Sequence, residues 1–174
     1  METGYRSWYI GFNEKGEPRL LPLNRGGAWE PGEEGEVVSD WEGEEKEKIA
    51  FKESSKGLYS LKSLKEAREY NTQGVHGAII PYGVTSHGER GFRSEKAKVK
   101  ALYKGQQPCW VCGQPAKWIL RVSGEAHFLC DKDRERIKRL IEKEKAEVFS
   151  LDDLLSRLAS IYDAEVVEWP SEEL

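Results

Sequence analysis

All three cysteines of this 174-residue chain lie within one short stretch, and they constrain its fold more than any other feature. Cys109 and Cys112 form a Cys-x-x-Cys pair followed by Gly113 and Pro115, and Cys130 begins a charged segment. Two cysteines with that spacing can occupy one edge of a zinc tetrahedron, because the backbone between them turns sharply. Gly113 gives the backbone freedom just after that turn, and Pro115 prevents a helix from continuing. The stretch therefore predicts a metal-binding knuckle.

The fourth zinc ligand has two candidates. Asp133 follows Cys130 by three residues, in the first turn of a helix predicted from Asp131 to about Lys145, so both side chains can face one metal. His127 would supply a nitrogen ligand in a His-x-x-Cys pair. In a strand over 126–129, however, the His127 side chain would point to the opposite face from Cys130. We favour Asp133 and keep His127 as the alternative.

From about Pro108 to Lys145 the pattern resembles the treble-clef zinc finger. In that family a knuckle leads into a hairpin, and the remaining ligands come from the start of a helix. The resemblance implies zinc in a closed structural site, and this sequence departs from it by lacking a fourth cysteine. Two interpretations without zinc stay open. They are a redox dithiol, which usually lies at a helix N-terminus, and buried thiols that pack as small apolar groups.

Length and element order predict an α+β fold with a small mixed or antiparallel sheet. We expect an α+β domain over 1–105 with an acidic loop near 30–48. A zinc-binding knuckle, hairpin and helix would follow over 106–146. The last segment, 147–174, would form a helix beginning at Ser150 and a short strand. No run has the apolar length of a signal peptide or a membrane span, so we expect a cytoplasmic protein.

Local signals predict several elements. A capping box that begins at Ser63 predicts a helix ending near Tyr70. Residues 75–85 predict strand, interrupted at Pro81. Residues 33–48 are acidic and poor in apolar side chains, which is typical of a mobile surface loop.

The charge is strongly segregated along the chain. The net charge is −4, yet residues 90–145 hold 15 Lys and Arg against 7 Asp and Glu, which leaves a net of −12 elsewhere. A basic patch around a zinc finger is the pattern expected for contact with nucleic-acid phosphates. The alternative is that the basic half packs against the acidic half of the same chain. The candidate nucleic-acid-binding residues are Arg90, Arg93, Lys96, Lys98, Lys100, Arg134, Lys138 and Arg139.

Three runs in the middle of the chain carry a resemblance to a known family. They are Gly57-Leu58-Tyr59-Ser60-Leu61-Lys62, Tyr82-Gly83-Val84 and Glu89-Arg90-Gly91-Phe92-Arg93-Ser94-Glu95-Lys96-Ala97. In this order they resemble uncharacterised proteins of phages, prophages and bacterial genomes. The resemblance implies a phage or mobile-element origin and brings no established activity.

The same segment is similar, more distantly, to the ADP-ribosyltransferase fold. Tyr59 and Tyr70 have the eleven-residue separation of the two tyrosines that clamp nicotinamide in poly(ADP-ribose) polymerases. Glu95 is the nearest match to that family's glutamate, and Arg6 stands in for its first-strand His or Arg. The resemblance implies NAD as substrate, since two aromatic faces can hold a flat ring while a carboxylate stabilises charge on the sugar.

We therefore expect a zinc-binding accessory protein that binds nucleic acid or a nucleic-acid enzyme. An ADP-ribosyltransferase-like enzyme that uses NAD is one alternative. A protein–protein interaction module that uses the acidic loop and the leucine-rich C-terminal helix is another. The sequence contains no phosphate-binding glycine loop and no nucleophile elbow, which favours a binding function over catalysis.

Overall fold

The computed structural model describes residues 2–23, 28–39, 57–105 and 107–170. Within these ranges the chain forms a mixed α+β fold. The strands are β1 (Gly4–Phe12), β2 (Pro18–Leu21), β3 (Glu36–Val38), β4 (Leu58–Leu61), β5 (Val75–His87), β6 (Gly91–Lys104), β7 (Trp118–Val122), β8 (Glu125–Leu129), β9 (Glu147–Ser150) and β10 (Glu165–Glu168). The helices are α1 (Leu64–Tyr70), α2 (Asp131–Arg136), α3 (Lys138–Lys143) and α4 (Leu151–Ile161), with a 3-10 turn at Glu33–Gly35.

Four strands of the larger sheet close into a ring. β1 pairs with β5 and β4, and β6 also pairs with β5 and β4, all antiparallel. The ring is tightest at Ser60 on β4, where Gly4 of β1 and Gly91 of β6 both approach it. A Cβ at Gly91 would lie 1.9 Å from the Ser60 carbonyl oxygen, so only glycine permits this contact.

β6 is the central strand of the larger sheet. One of its edges pairs with β5, and the other pairs in turn with β4, β3 and β10. The pairing with β10 is parallel, which makes the sheet mixed. β2 extends the sheet beyond β1. The expected C-terminal helix and strand are thus α4 and β10.

The start of the acidic segment forms regular structure, so the prediction of a mobile loop is wrong for residues 33–38. The 3-10 turn leads into β3, which pairs with β6. Val37 of β3 is buried in the core, and Lys98 of β6 lies 3.2 Å from Glu34 in the 3-10 turn before β3. The rest of that predicted loop, from 40 onward, lies outside the described residues.

The smaller sheet, in the order β8–β7–β9, contacts a different hydrophobic cluster on each face. Ile119 and Phe128 point into the main hydrophobic core. Their neighbours Leu120 and Leu129 point the opposite way, into a second cluster that contains two of the cysteines. Successive side chains of a strand alternate between faces, so one short sheet joins the two clusters.

The predicted helix caps are present. The Ser63 hydroxyl oxygen accepts a hydrogen bond from the Glu66 N–H at 3.1 Å, and α1 ends at Tyr70 as predicted. The Ser150 hydroxyl accepts from the Asp153 N–H at 3.3 Å and begins α4.

Two boundary predictions are wrong. β5 runs without interruption through Pro81, because Pro81 lies beyond Ile79, the last residue of β5 that pairs with β1. No described strand pairs with that edge of β5 there, so a missing N–H is tolerated. The single helix expected from 131 to 145 is divided into α2 and α3 at Ile137, where φ is −102° and ψ is 14°. Ile137, at the break, and Ile141, in α3, both pack against the second cluster.

Tyr162, just after α4, joins three distant parts of the chain. Its hydroxyl accepts a hydrogen bond from the Leu20 N–H at 3.0 Å and donates one to the main-chain oxygen of Trp29. Trp29 in turn packs edge-on against Trp8, with ring centroids 5.2 Å apart. Burial raises the pKa of Tyr162 to about 12, so the phenol keeps its proton and can donate.

His76 is a buried histidine on β5, with 1% of its surface exposed. Its Nε2–H donates to the main-chain oxygen of Asn71, and its ring lies edge-on to Trp169 at 5.4 Å. Burial lowers the pKa of His76 to about 4, although the hydrogen bond to Asn71 opposes this shift. The imidazole is therefore neutral in the folded protein at neutral pH.

Because of His76, we expect the free energy of unfolding to fall by about 3 kcal/mol between pH 7 and pH 4. In the unfolded chain the pKa of His76 returns to 6.5. Between pH 7 and pH 4 the imidazole is therefore protonated mainly in the unfolded chain, which favours unfolding. Urea unfolding of the wild type and of His76→Gln at both pH values measures the effect, since the glutamine amide can donate to Asn71 but does not titrate. Equal losses in the two proteins would contradict this assignment.

Candidate metal centre

The four side chains favoured as ligands lie together in the fold. The Sγ atoms of Cys109, Cys112 and Cys130 and a carboxylate oxygen of Asp133 are all within 4.8 Å of one another, a cluster that could hold a metal ion. Cys109, Cys130 and Asp133 are buried, and Cys112 is exposed. The first two cysteines come from the turn before β7, and the other two ligands come from the beginning of α2.

The turn that carries Cys109 and Cys112 is a hydrogen-bonded knuckle. The Cys109 N–H donates to Gln114 O at 2.6 Å, and the Gly113 N–H donates back to Cys109 O at 2.8 Å. Gly113 has a φ of 77°, a left-handed conformation that favours glycine. The Trp110 N–H bonds to Phe128 O of β8 at 2.8 Å, which fixes the knuckle against the hairpin.

The other half of the cluster is set by the start of α2. Cys130 is the N-cap residue, with extended backbone, and its Sγ accepts a hydrogen bond from the Asp133 N–H at 3.4 Å. An N-cap side chain faces the backbone three residues on, so Cys130 and Asp133 lie on the same side of the first turn. This local rule is why a Cys-x-x-Asp spacing can supply two ligands.

The distances within the cluster fit tetrahedral zinc. Zinc–sulfur bonds of about 2.3 Å give sulfur–sulfur edges of about 3.8 Å, and sulfur–oxygen edges are slightly shorter. Here the Cys112 and Cys130 Sγ atoms are 3.6 Å apart. Asp133 Oδ2 lies 3.3 Å from both Cys109 Sγ and Cys130 Sγ. The four ligand atoms need little movement to surround one ion.

Contacts within the cluster shift the pKa values of Cys109, Cys112 and Asp133. The hydrogen bond to the Asp133 carboxylate raises the pKa of the Cys112 thiol to about 12, and the same bond lowers the pKa of Asp133. Burial raises the pKa of Cys109, but N–H groups of Cys112, Cys130 and Val111 outweigh it and leave that pKa below its ordinary value. Metal binding must therefore displace a proton from Cys112, and the affinity for metal falls as the pH falls.

Arg136 holds the carboxylate of Asp133 from its far side, and sequence reasoning did not identify it. Its Nη1 lies 3.4 Å from Asp133 Oδ1, while Oδ2 faces the thiols. One oxygen is thus left for a metal, because the other is engaged by the guanidinium. The signal in the sequence is the spacing of three residues on one helix, which brings an acidic and a basic side chain together.

A second set of contacts joins the hairpin to α2. The Trp118 indole N–H donates to Asp131 Oδ1 at 2.7 Å, and Lys117 Nζ lies 3.2 Å from Asp131 Oδ2. The Arg134 guanidinium lies over the Trp118 ring, 3.9 Å from its centroid. These contacts fix the start of the helix relative to the strand that follows the knuckle.

His127, the alternative fourth ligand, lies outside the four-residue cluster. Its ring stacks on the indole of Trp110, with centroids 4.5 Å apart and planes inclined by 26°. Its Nε2 lies 3.4 Å from Glu125 Oε2. Trp110 itself is 56% exposed, so the stack lies at the surface of the knuckle.

The candidate nucleic-acid-binding residues fall into two groups. On β6, Lys96 lies 4.0 Å from Glu36, and Lys98 lies 3.2 Å from Glu34. These two lysines therefore pair with acidic residues of the same chain, which was the alternative to contact with phosphates. Arg93 lies over the ring of Tyr59. The other group is exposed, apart from Arg134, which stacks on Trp118 as described above. Its exposed members are Arg90 just before β6, Lys100 on β6, and Lys138 and Arg139 on α3.

The residues suggested by the ADP-ribosyltransferase resemblance lie on different elements. Tyr59 is on β4, Tyr70 is the exposed last residue of α1, and Glu95 is on β6 against Gly83 of β5. The Arg6 guanidinium donates to the main-chain oxygen of Tyr59 at 2.9 Å, and it lies 5.5 and 4.4 Å from the ring centroids of the buried Trp8 and Trp29. These contacts give Arg6 a structural role in packing β1 against β4. The use of NAD as a substrate stays a prediction.

Comparison with protein-family models, with curated proteins and with solved structures finds no match to this chain. Among the described residues no helix is both long enough and apolar enough to cross a membrane.

Proposed function

We propose that the protein is a zinc-binding accessory protein whose metal centre has a treble-clef-like arrangement and holds a nucleic-acid-binding surface in place. The observation that carries the proposal is the cluster of three thiols and one carboxylate, with ligand atoms within 4.8 Å of one another. Zinc prefers such a thiolate-rich, four-coordinate set. All four positions are filled by protein ligands, so zinc would be structural here.

The surface proposed for nucleic acid is formed by the outer residues of α2 and α3. Lys132, Lys138, Arg139 and Lys143 are exposed, and across the described part of the chain no carboxylate lies within ion-pair distance of them. Cations that are not neutralised by the protein remain available to phosphates, and each contact releases counterions from the nucleic acid.

The cations beside the cluster have a different role. Three thiolates and one carboxylate around Zn²⁺ carry a net charge of −2. A cavity of about 460 Å³ next to the centre is lined by Lys117, Lys132 and Arg136, and two of these already contact aspartates. Lys117 and Arg136, which contact Asp131 and Asp133, offset the charge of the centre. Lys132 makes no such contact with the described residues, so the proposed binding surface extends from Lys132 to α3. A protein of the nucleic-acid machinery with an acidic surface is the alternative partner.

The double variant Lys138→Gln/Arg139→Gln is expected to bind both single-stranded and duplex oligonucleotides about tenfold more weakly. The slope of log affinity against log salt should decrease by about 1 to 2, because each lost phosphate contact removes somewhat less than one unit. Fluorescence anisotropy at several salt concentrations gives both quantities.

Lys96→Gln/Lys98→Gln is the matched control. It removes the same charge from residues that are paired with Glu36 and Glu34, and its affinity should change less than twofold. If the zinc-loaded wild type binds neither form of nucleic acid even at low salt, the nucleic-acid part of the proposal is wrong. The protein would then be an adaptor for other proteins.

A further inference from the structure

The knuckle presents a flat aromatic surface that neither the metal centre nor the hydrophobic core uses. Trp110 stacks on His127, which covers one face of the indole, yet the side chain remains 56% exposed. The Trp110 N–H is bonded to Phe128 O, so the backbone that carries the ring is fixed. The indole is therefore supported on one face by His127 and exposed to solvent elsewhere.

Trp110 and Lys132 each follow or precede a residue of the four-residue cluster in the chain, and Lys132 is unpaired among the described residues. Trp110 is the chain neighbour of Cys109, and Lys132 is the chain neighbour of Asp133, so both flank the same cluster of ligand atoms. Lys132 is exposed and lines the cavity next to the centre. A strand whose phosphates contact Lys132 would lie at one half of this cluster, and the indole is carried by the other half.

The size of the surface favours a nucleobase over a protein. Trp110 and its neighbour Val111 are the large apolar side chains that the knuckle exposes. A stable protein interface needs about 800 Å² from each partner, whereas an aromatic side chain offers about 150–250 Å². One ring face matches the area of one unstacked base, and stacking tolerates any base because every base has a π-face.

We infer that Trp110, supported by His127, is a stacking platform for an unpaired base, so that the protein prefers single-stranded nucleic acid to duplex. This inference rests on the proposed function, since it assumes that nucleic acid binds. Duplex bases are already stacked on their neighbours and cannot reach the indole. The phosphates contact the basic surface in both forms, and only the single strand gains the stacking contact.

The test is fluorescence anisotropy of zinc-loaded protein with a labelled oligonucleotide, as a single strand and as a duplex. Trp110→Ala should weaken single-strand binding about 5- to 100-fold, the effect of losing one base–aromatic stack, and change duplex binding less than twofold. Trp110→Phe should restore most of the lost affinity. The salt slope should be unchanged, unlike that of the α3 charge variant. Tyr9→Ala, which removes an aromatic side chain exposed to a similar degree on β1, is the control.

Zinc content equal to that of the wild type shows that Trp110→Ala is folded. Equal losses on single strand and duplex, or no loss on either, overturn the stacking platform while the proposed function stands. If the wild type binds no nucleic acid in either form, the proposed function and this inference both fail.

Discussion

Replacing Cys130 by serine is expected to remove the metal from this protein. The purified wild type should contain one zinc per chain with its three thiols protected from modification, and Cys130→Ser should contain none. Cys130 supplies a buried ligand and also caps α2, so its loss opens the tetrahedron and frees the helix start. Metal analysis by mass spectrometry and thiol titration give the two readings. A metal-free wild type with all three thiols freely titratable would refute the zinc centre.

Matched variants identify the fourth ligand. Asp133→Ala should lower zinc affinity strongly, while His127→Ala should leave it within a fewfold, because His127 lies outside the cluster. Asp133→Cys should retain zinc, since it completes a set of four thiolates. The opposite ranking of the alanine variants would assign the position to His127.

Loss of zinc should unfold one part of the molecule. The second hydrophobic cluster has four buried members, and two of them are the candidate ligands Cys109 and Cys130. Structural zinc sites contribute on the order of 10 kcal/mol to folding, which this small cluster cannot replace. With a chelator, hydrogen exchange should lose protection in α2 and α3 and keep it in β5 and β6, whose core is separate.

The second large effect is expected at Tyr162. Tyr162→Phe should lower the free energy of unfolding by about 3 kcal/mol. It removes one hydroxyl and leaves two buried main-chain groups, the Leu20 N–H and the Trp29 carbonyl, without that partner. Chemical denaturation of the zinc-loaded protein measures the loss.

Tyr9→Phe is the control for Tyr162. It makes the same chemical change on a side chain that is 48% exposed, and it should alter stability by less than about 0.5 kcal/mol. Similar effects of the two variants would show that the hydroxyl of Tyr162 contributes no more than a surface group.

Sequence reasoning succeeded where the physics is local. The clustering of the four candidate ligands could be predicted because a Cys-x-x-Cys turn and an N-cap with its third following residue each fix their own geometry. The same holds for the caps at Ser63 and Ser150, each confirmed by a hydrogen bond to the N–H three residues on. In each case the deciding contacts lie within a few residues of chain.

The remaining features depend on partners that are far away in the sequence. Composition shows that residues 33–38 are acidic, but not that Val37 pairs with Ala97 of β6 and is buried in the core. Pro81 predicts an interruption unless the local edge of β5 is known to lack a partner. The contact between Tyr162 and Trp29 spans 133 residues. The stacking of Trp110 on His127 likewise joins the knuckle to β8 and could not be predicted from the residues next to either one.

The shared edge of β6 has a consequence for how the chain reaches its native state. Three short strands from widely separated parts of the sequence meet along that edge, so most pairing partners of β6 must close long loops before they gain any stabilisation. Such a topology gives a high contact order, and folding is correspondingly slow. Until β10 docks, the end of β6 is an open strand edge, the kind of surface on which partly folded chains associate.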